Sequence, residues 1–331
     1  MDDQKAVQFA TEFAAINAAV AKVIAGKPSA ICLVVTAMLA GGHALLEDVP
    51  GTGKTSLAKA VAAAVAGTHG RVQFTPDLLP SDLIGASIYN QNTGQFGFRP
   101  GPVFCSVLLA DEINRASPKT QSALLEAMEE RQVTADGVSH DLPAPFVVIA
   151  TQNPIEQLGT YRLPEAQLDR FLIRTKLGYP SHETTVSLVR ESARIDRTAV
   201  VKPVVSVERV VQLSEMAAQA HIAPAVAEYI VSVTEATRMD DRCELGASTR
   251  GGLALARCAK VFAMAQGRAY VTPDDVKALA HPVLAHRLII GLEALVESPA
   301  QAGVAHEVIA GVLRRVTAPA AGGLETARMA A

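Results

Sequence analysis

The sequence predicts an α/β fold, a parallel sheet between helices followed by a smaller all-helical domain, and three observations carry that prediction. Short Val/Leu/Ile-rich runs alternate with helical patterns through the first third of the chain. The clearest of these runs each end in polar or turn residues, and beyond about Pro180 strand signals give way to helical periodicity as far as about Arg315. Alternating strand and helix is the pattern of parallel strands joined by crossover helices. At 331 residues the chain exceeds the usual size of one hydrophobic core, so two domains are expected. We divide it into an α/β core over 1–178 and a helical domain over 179–317. The Ala/Gly-rich stretch 318–331 lacks a usable apolar face and is expected to fray.

Three runs read as buried strands: Ala44 to Glu47, Ser106 to Asp111 and Phe146 to Thr151. In an open α/β sheet, ligands sit beyond the carboxyl ends of the strands. Those ends carry Asp48 to Thr55, Asp111-Glu112 and Gln152-Asn153, so polar groups stand where such a fold places chemistry. Two segments read as insertions. About 86–100, with Gly, Asn, Gln and Phe from Ile88 to Pro100, suits a projecting loop or hairpin, and about 131–142 turns at Asp136-Gly137, a type I′ hairpin signal. In the helical part, Thr272-Pro273-Asp274-Asp275 marks a helix start: a capping residue, a proline at the first position, then acids favoured by the macrodipole.

Composition narrows the function classes. Apolar residues are 49 % and charged ones 19 %, which supplies a core and argues against global disorder. Net charge is −3, with 4 % aromatics and no Trp, so neither a basic excess nor stacking platforms for nucleic acid are present. The four cysteines, Cys32, Cys105, Cys243 and Cys258, lie far apart without CxxC spacing and read as small buried hydrophobes in a reducing compartment. Single histidines such as His43, His140 and His286 have no ligand spacing. The start, Met1-Asp2-Asp3, is not that of a secretory signal, and the apolar stretch near Ala30 to Ala40 is too short to span a bilayer. We therefore expect a cytoplasmic protein without stable membrane insertion.

The segment Asp48-Val49-Pro50-Gly51-Thr52-Gly53-Lys54-Thr55-Ser56 follows a predicted strand and opens a helix. A phosphate loop needs glycines that turn backbone N–H groups onto phosphate oxygens, a lysine on the β/γ-phosphates and a hydroxyl for the metal. Gly51, Gly53, Lys54 and Thr55 supply these parts, and the helix N-terminus adds its partial positive charge. Pro50, Thr52 and Ser56 complete the candidate phosphate-binding set. The strict pattern GxxxxGK[ST] is broken at its first glycine, where Asp48 stands.

Val107-Leu108-Leu109-Ala110 leads into two adjacent acids, Asp111 and Glu112. Neighbours on a strand point to opposite sides, so the pair can divide its work. Asp111, with the Thr55 hydroxyl, would hold Mg²⁺, which accepts one or two carboxylates and keeps several waters. Glu112 would orient and deprotonate a water attacking the γ-phosphorus of ATP. Alone, Asp111 would more simply cap the helix that follows; beside a phosphate loop, the pair points to nucleotide hydrolysis.

With those residues placed, the chain resembles the AAA+ ATPases and, among them, the MoxR family of the helix-2 insert group. The matching stretches are HALLEDVPGTGKTSLAKA from His43, RVQFTPDLLPSDLIG from Arg71, VLLADEINRASPKTQSALLEAMEERQV from Val107, ATQNPIEQLGTYRLPEAQLDRF from Ala150 and GASTRGGLALARCAKVFA from Gly246. They lie within about Val23 to about Arg287. The resemblance implies that Asn153 is the sensor 1 residue and that Arg170 is the arginine finger reaching a neighbouring subunit's nucleotide, with Arg162 as a rival. It implies that Arg250 is the sensor 2 arginine, although Thr249 stands where the family usually has Pro. Ile24 and Gly26 fall where the family contacts adenine. The two insertions would be the helix-2 insert and the pre-sensor 1 hairpin, facing the ring's pore or its partners.

The resemblance further implies a homo-oligomer, a hexamer, in which ATP hydrolysis drives chaperone-like remodelling or maturation of a client enzyme, including metal or cofactor insertion. A protein with a von Willebrand factor A domain is the implied partner. Two alternatives belong to other classes. A helicase-like nucleic-acid motor is disfavoured by the acidic balance, and a nucleotide-gated scaffold by the joint presence of Glu112, Asn153 and Arg170. No NKxD segment for reading guanine is present.

Overall fold

The computed structural model describes residues 3–48, 51–92, 94–153, 161, 163–191, 200–297 and 301–319. Pro50, Arg162 and the tail from Ala320 onward lie outside them. Along the chain run α1 (Asp3–Ala21), α2 (Pro28–Leu39), β1 (Ala44–Glu47), α3 (Lys54–Ala64), β2 (His69–Gln73), α4 (Pro80–Ile84), β3 (Gly85–Asn90), β4 (Gln95–Pro100) and β5 (Val107–Asp111). Then come α5 (Pro118–Glu130), β6 (Gln132–Ala135), β7 (Val138–Asp141), β8 (Val147–Gln152), α6 (Glu165–Leu168), β9 (Ile173–Thr175) and α7 (His182–Glu191). The remainder is α8 (Val207–Ala218), α9 (Pro224–Arg238), β10 (Cys243–Leu245), α10 (Thr249–Ala265), α11 (Pro273–Leu284), β11 (Ile289–Ile290), α12 (Leu292–Glu297) and α13 (Gln301–Arg315).

The chain forms two compact units that interleave in sequence. Among the described residues, one contains those within 15–163 and 175–211; the other contains those within 3–14, 164–174 and 212–319. The first is built on a sheet in which β2, β5, β8 and β1 lie side by side in that order. The three runs expected as strands are β1, β5 and β8, and they pair in parallel at its centre. Each is buried nearly throughout, because helices cover both faces of such a sheet. The apolar residues of α3, Leu57, Ala58 and Val61, are fully buried, as are Val34 and Val35 of α2. Register is tight: Gln73 stands opposite Asp111, Ala110 opposite Ala150, and Leu46 opposite Thr151. The carboxyl ends of four strands therefore line up on one edge.

Two antiparallel hairpins decorate this unit. β3 pairs with β4, and β6 with β7 across Asp136 (φ 50°) and Gly137 (φ 78°), the two positive angles a type I′ turn requires. Phe98 of β4 stacks on His140 of β7 with ring centroids 3.8 Å apart, which locks the hairpins together. At the exposed end of the first, Tyr89 and Phe96 pack on each other while both remain open to solvent. His43 has a structural occupation: its Nδ1 accepts the Val148 N–H at 3.0 Å, and its Nε2 lies 3.1 Å from the Met128 carbonyl oxygen.

The second unit is mainly helical. Ser248 caps α10 by accepting the Gly251 N–H, and Thr272 and Asp275 form a capping box at the start of α11. A short antiparallel pair, β10 with β11, joins the helices, which helical periodicity does not announce. Asp240, after α9, accepts from Arg242 at 2.8 Å and from Arg315 of α13 at 2.8 Å, and those guanidiniums hold its carboxyl well below the usual range. Cys258 is fully buried, which pushes its thiol up to about 12; Cys105 is also buried, whereas Cys32 and Cys243 are half-buried. All four are free thiols.

Candidate functional site

The phosphate loop joins β1 to α3. Gly51 (φ +84°) and Gly53 (φ +93°) both adopt left-handed conformations. A Cβ on Gly51 would meet nothing within 4 Å, and one on Gly53 only the tip of Ile24 at 3.6 Å, so conformation and not crowding demands glycine here. Gly53 is the N-cap of α3, and the first helical bond runs from Leu57 N–H to Gly53 O at 2.9 Å. The N–H groups of Lys54, Thr55 and Ser56 thus have no carbonyl of their own helix to bond, which makes the turn an anion cradle. Lys54 is buried and its Nζ donates to the Asp48 carbonyl at 3.1 Å. Thr52 is buried, while Thr55 and Ser56 are half-buried.

Asp48 has a task of its own. Its carboxylate accepts the N–H groups of Leu177 and, at 2.9 Å, Gly178, so the acid at the broken motif position pins the chain just past β9.

Asp111 ends β5 and Glu112 follows it, one strand removed from the phosphate-loop strand. With β8 between them, the backbones of β5 and β1 are roughly 10 Å apart, two strand spacings. β8 fills that interval within the sheet, so a nucleotide would sit beyond the carboxyl ends of the strands. Asp111 is buried; its Oδ1 accepts from Thr151 Oγ1 at 2.7 Å and its Oδ2 from Arg71 at 2.9 Å. Glu112 sits at φ 57°, a left-handed conformation that is strained for a residue with a side chain. That turn aims its N–H at Thr151 Oγ1, 2.8 Å away, and its carboxylate at Gln73 Nε2 (2.8 Å) and Arg115 (3.0 Å). One hydroxyl, Thr151, thereby fixes both acids. Asn153, buried immediately after β8, lies between the ends of β5 and β1. The available donors, the Thr55 hydroxyl and the Asp111 carboxylate, are hard oxygens of the kind Mg²⁺ takes in ones and twos from protein, completing its shell with water. Among the described residues there is no cluster of three or more metal-ligating side chains.

Sequence reasoning did not single out Thr151, Arg71, Gln73 or Arg115. The one available signal was that Thr151 and Gln73 stand at strand ends.

Arg170 and Arg250 belong to the helical unit, where Asp169 precedes Arg170 in the chain and its carboxylate lies near Arg250. Arg170 is half-buried in the turn after α6, with its N–H on the Gln167 carbonyl at 3.2 Å. Arg250, in the first turn of α10, is half-exposed, with Nε 4.0 Å from Asp169 Oδ2. Arg287 Nε donates to the other oxygen of Asp169 at 2.7 Å. No role for Arg287 is visible in its local sequence.

Fold and site together define a P-loop ATPase of the doubly wound α/β type. Residues 43–173 match the ATPase family associated with various cellular activities (AAA), and residues 235–307 match the AAA lid domain. The chain is 46 % identical over 276 residues to the uncharacterized protein YeaC of Bacillus subtilis, covering 83 % of this chain and 86 % of that one. It is 42 % identical over 287 residues to chaperone MoxR1 of Mycobacterium tuberculosis, covering 84 % and 76 %. A crystal structure of a protein assigned as an ATPase from Cytophaga hutchinsonii superposes with a TM-score of 0.87 at 38 % identity, covering 96 % of this chain and 98 % of that one. The chain belongs to the MoxR family of AAA ATPases, and its reaction is the hydrolysis of ATP.

Proposed function

We propose that the protein works as a homo-oligomeric ring, a hexamer, in which hydrolysis of Mg-ATP drives chaperone-like remodelling or maturation of a client protein. The observation that carries this reading is the shared edge on which the glycine turn, Lys54, Asp111, Glu112 and Asn153 stand at the ends of adjacent parallel strands. The proposed division of labour follows from their chemistry. Backbone N–H groups from Gly51 to Ser56 hold the phosphates, Pro50 belongs to the same candidate set by its sequence position alone, and Lys54 bridges the β- and γ-groups. Thr55 and Asp111 would hold Mg²⁺, which would supply charge neutralisation at the phosphate oxygens. Glu112 takes the proton of a water that Asn153 orients. That water's oxygen bonds the γ-phosphorus as the bond to the β–γ bridging oxygen breaks, giving ADP and phosphate. Arg170 offers its charge to the neighbouring subunit's nucleotide, and Arg250 acts on phosphates from the lid. The core over 1–178 and lid over 179–317 belong to the same proposal.

Support for a client comes from the β3–β4 hairpin, whose Tyr89 and Phe96 keep an aromatic pair in solvent. A solvent-exposed aromatic pair of this kind is suited to an apolar segment of a client. The named chaperone among the relatives points the same way, and a von Willebrand factor A protein, metal or cofactor insertion, and a cytoplasmic setting remain part of the family-based reading. Among the described residues no helix is long and apolar enough to cross a membrane.

Native mass spectrometry of Glu112→Gln with ATP and Mg²⁺ tests the assembly. A closed ring that dissociates when nucleotide is removed is the expected result, and a monomer at every nucleotide condition overturns it.

A further inference from the structure

Arg287 is a cation buried almost completely, with 2 % of its side chain exposed, and its donors nearly all point at one short segment. Nε donates to Asp169 Oδ1 at 2.7 Å, and the two terminal nitrogens reach the carbonyls of Phe171 (2.8 Å), Asp169 (3.2 Å), Leu172 (3.4 Å) and Val283. A guanidinium has five N–H groups in a rigid fork. Five oxygens lie within its reach, four of them in Asp169–Leu172, the stretch that brackets Arg170, and His286 Nε2 stands 2.8 Å from one terminal nitrogen. Gly251 in the first turn of α10 makes room, since a Cβ there would stand 3.1 Å from Arg287 Cδ. The second oxygen of Asp169 faces the other way, toward Ser248 Oγ at 3.4 Å and Arg250 Nε at 4.0 Å.

We propose that Asp169, anchored from behind by Arg287, is the positioning residue that sets Arg170 for catalysis and ties it to Arg250. This rests on the reading of Arg170 as the group offered to a neighbouring subunit. One carboxylate is shared between a fixed cation, Arg287, and a half-exposed one, Arg250. When a phosphate draws Arg250 away, Asp169 Oδ2 loses its counter-charge while Oδ1 stays held, so the change is delivered to the residue adjoining Arg170. The loop bearing Arg170 thus registers where Arg250 is engaged.

The test compares ATP turnover of Arg170→Ala, Asp169→Ala and Asp169→Asn, each checked for melting temperature and assembly. Displacing a catalytic group by about 1 Å costs on the order of 100-fold in rate. Asp169→Ala is expected to lower kcat by about that factor with KM nearly unchanged, because its own phosphate loop is intact. Asp169→Asn keeps an acceptor for Arg287 Nε and is expected to restore much of kcat. Mixing Asp169→Ala with Glu112→Gln is expected to raise turnover above the sum of the two, since one subunit keeps the base and the other a well-placed Arg170. If Arg170→Ala loses kcat while both Asp169 variants do not, the proposal falls and the finger reading stands. If Arg170→Ala leaves kcat intact, the finger reading itself falls. If both Asp169 variants lose stability and kcat together and mixing recovers nothing, Asp169 is only a structural residue and the proposal is overturned.

Discussion

The hydroxyl of Thr151 donates to the Asp111 carboxylate at 2.7 Å while accepting the Glu112 N–H at 2.8 Å, so one side chain on β8 orients both acids at the end of β5. Valine has the same shape without the hydroxyl. Thr151→Val leaves the buried strand packed but releases Asp111 Oδ1 and the Glu112 N–H. Partners that orient metal ligands are typically worth 10- to 100-fold. Turnover is expected to fall by about that range, with a raised Mg²⁺ requirement, and a magnesium titration of ATPase rate checks it.

Glu112→Gln keeps the size of the side chain and an oxygen able to accept from Gln73 and Arg115, but loses the charge of the Arg115 ion pair and removes the base. It is expected to bind ATP with near-normal affinity and to turn it over at least about 100-fold more slowly. Lys54→Ala should instead abolish binding, since it removes the buried ammonium beside the phosphate cradle. Fluorescent-nucleotide binding measured beside phosphate release separates the two outcomes, and normal turnover in Glu112→Gln removes it from the role of base.

The glycine turn and the acid that breaks its motif make opposite demands. Gly53→Ala forces a side chain into φ +93°, at a cost of about 1–2 kcal/mol, although only Ile24 is near. Nucleotide affinity is expected to fall because the helix start must shift. Asp48→Gly would restore the strict motif and nevertheless destabilise the core. It deletes the acceptor of the Leu177 and Gly178 N–H groups, and hydrogen bonds to a charged group are worth about 1.5–3 kcal/mol each. Denaturant unfolding of both variants decides; an Asp48→Gly protein as stable as the parent refutes this assignment.

The parts of this architecture legible in sequence are those written in consecutive residues. β1, β5 and β8 each begin as an apolar run, and the phosphate loop and acid pair stand at the ends of two of them. The edge strand β2 reads HGRVQ, half-exposed and without alternation, and exists because β5 offers it a ladder. β9 has three residues, too few to carry a period. The groups that orient the site were invisible for the same reason. Thr151 stands 40 residues from Asp111, Gln73 is 39 from Glu112, and Arg287 is 118 from Asp169. Nothing in a local pattern records a partner that only the fold supplies.

His286 makes the stability of the helical unit depend on pH. Its ring is fully buried, Nε2 lies 2.9 Å from the Phe171 carbonyl oxygen, and burial, with Arg287 beside it, pushes its pKa well below the ordinary 6.5. The folded state therefore keeps the ring neutral, while the unfolded state takes up a proton near pH 6.5. Stability from this group is complete above that value and declines as pH falls below it, by about 1.4 kcal/mol per pH unit while one proton is taken up only on unfolding. Replacing the ring with a side chain that cannot titrate, His286→Gln, is expected to lower stability at pH 7.5 and to flatten the slope between pH 6.5 and 5.5. Urea unfolding of this unit at each pH, followed by hydrogen exchange, measures both slopes. Equal slopes in the two proteins would mean that His286 binds its proton in the folded state as readily as in the unfolded one.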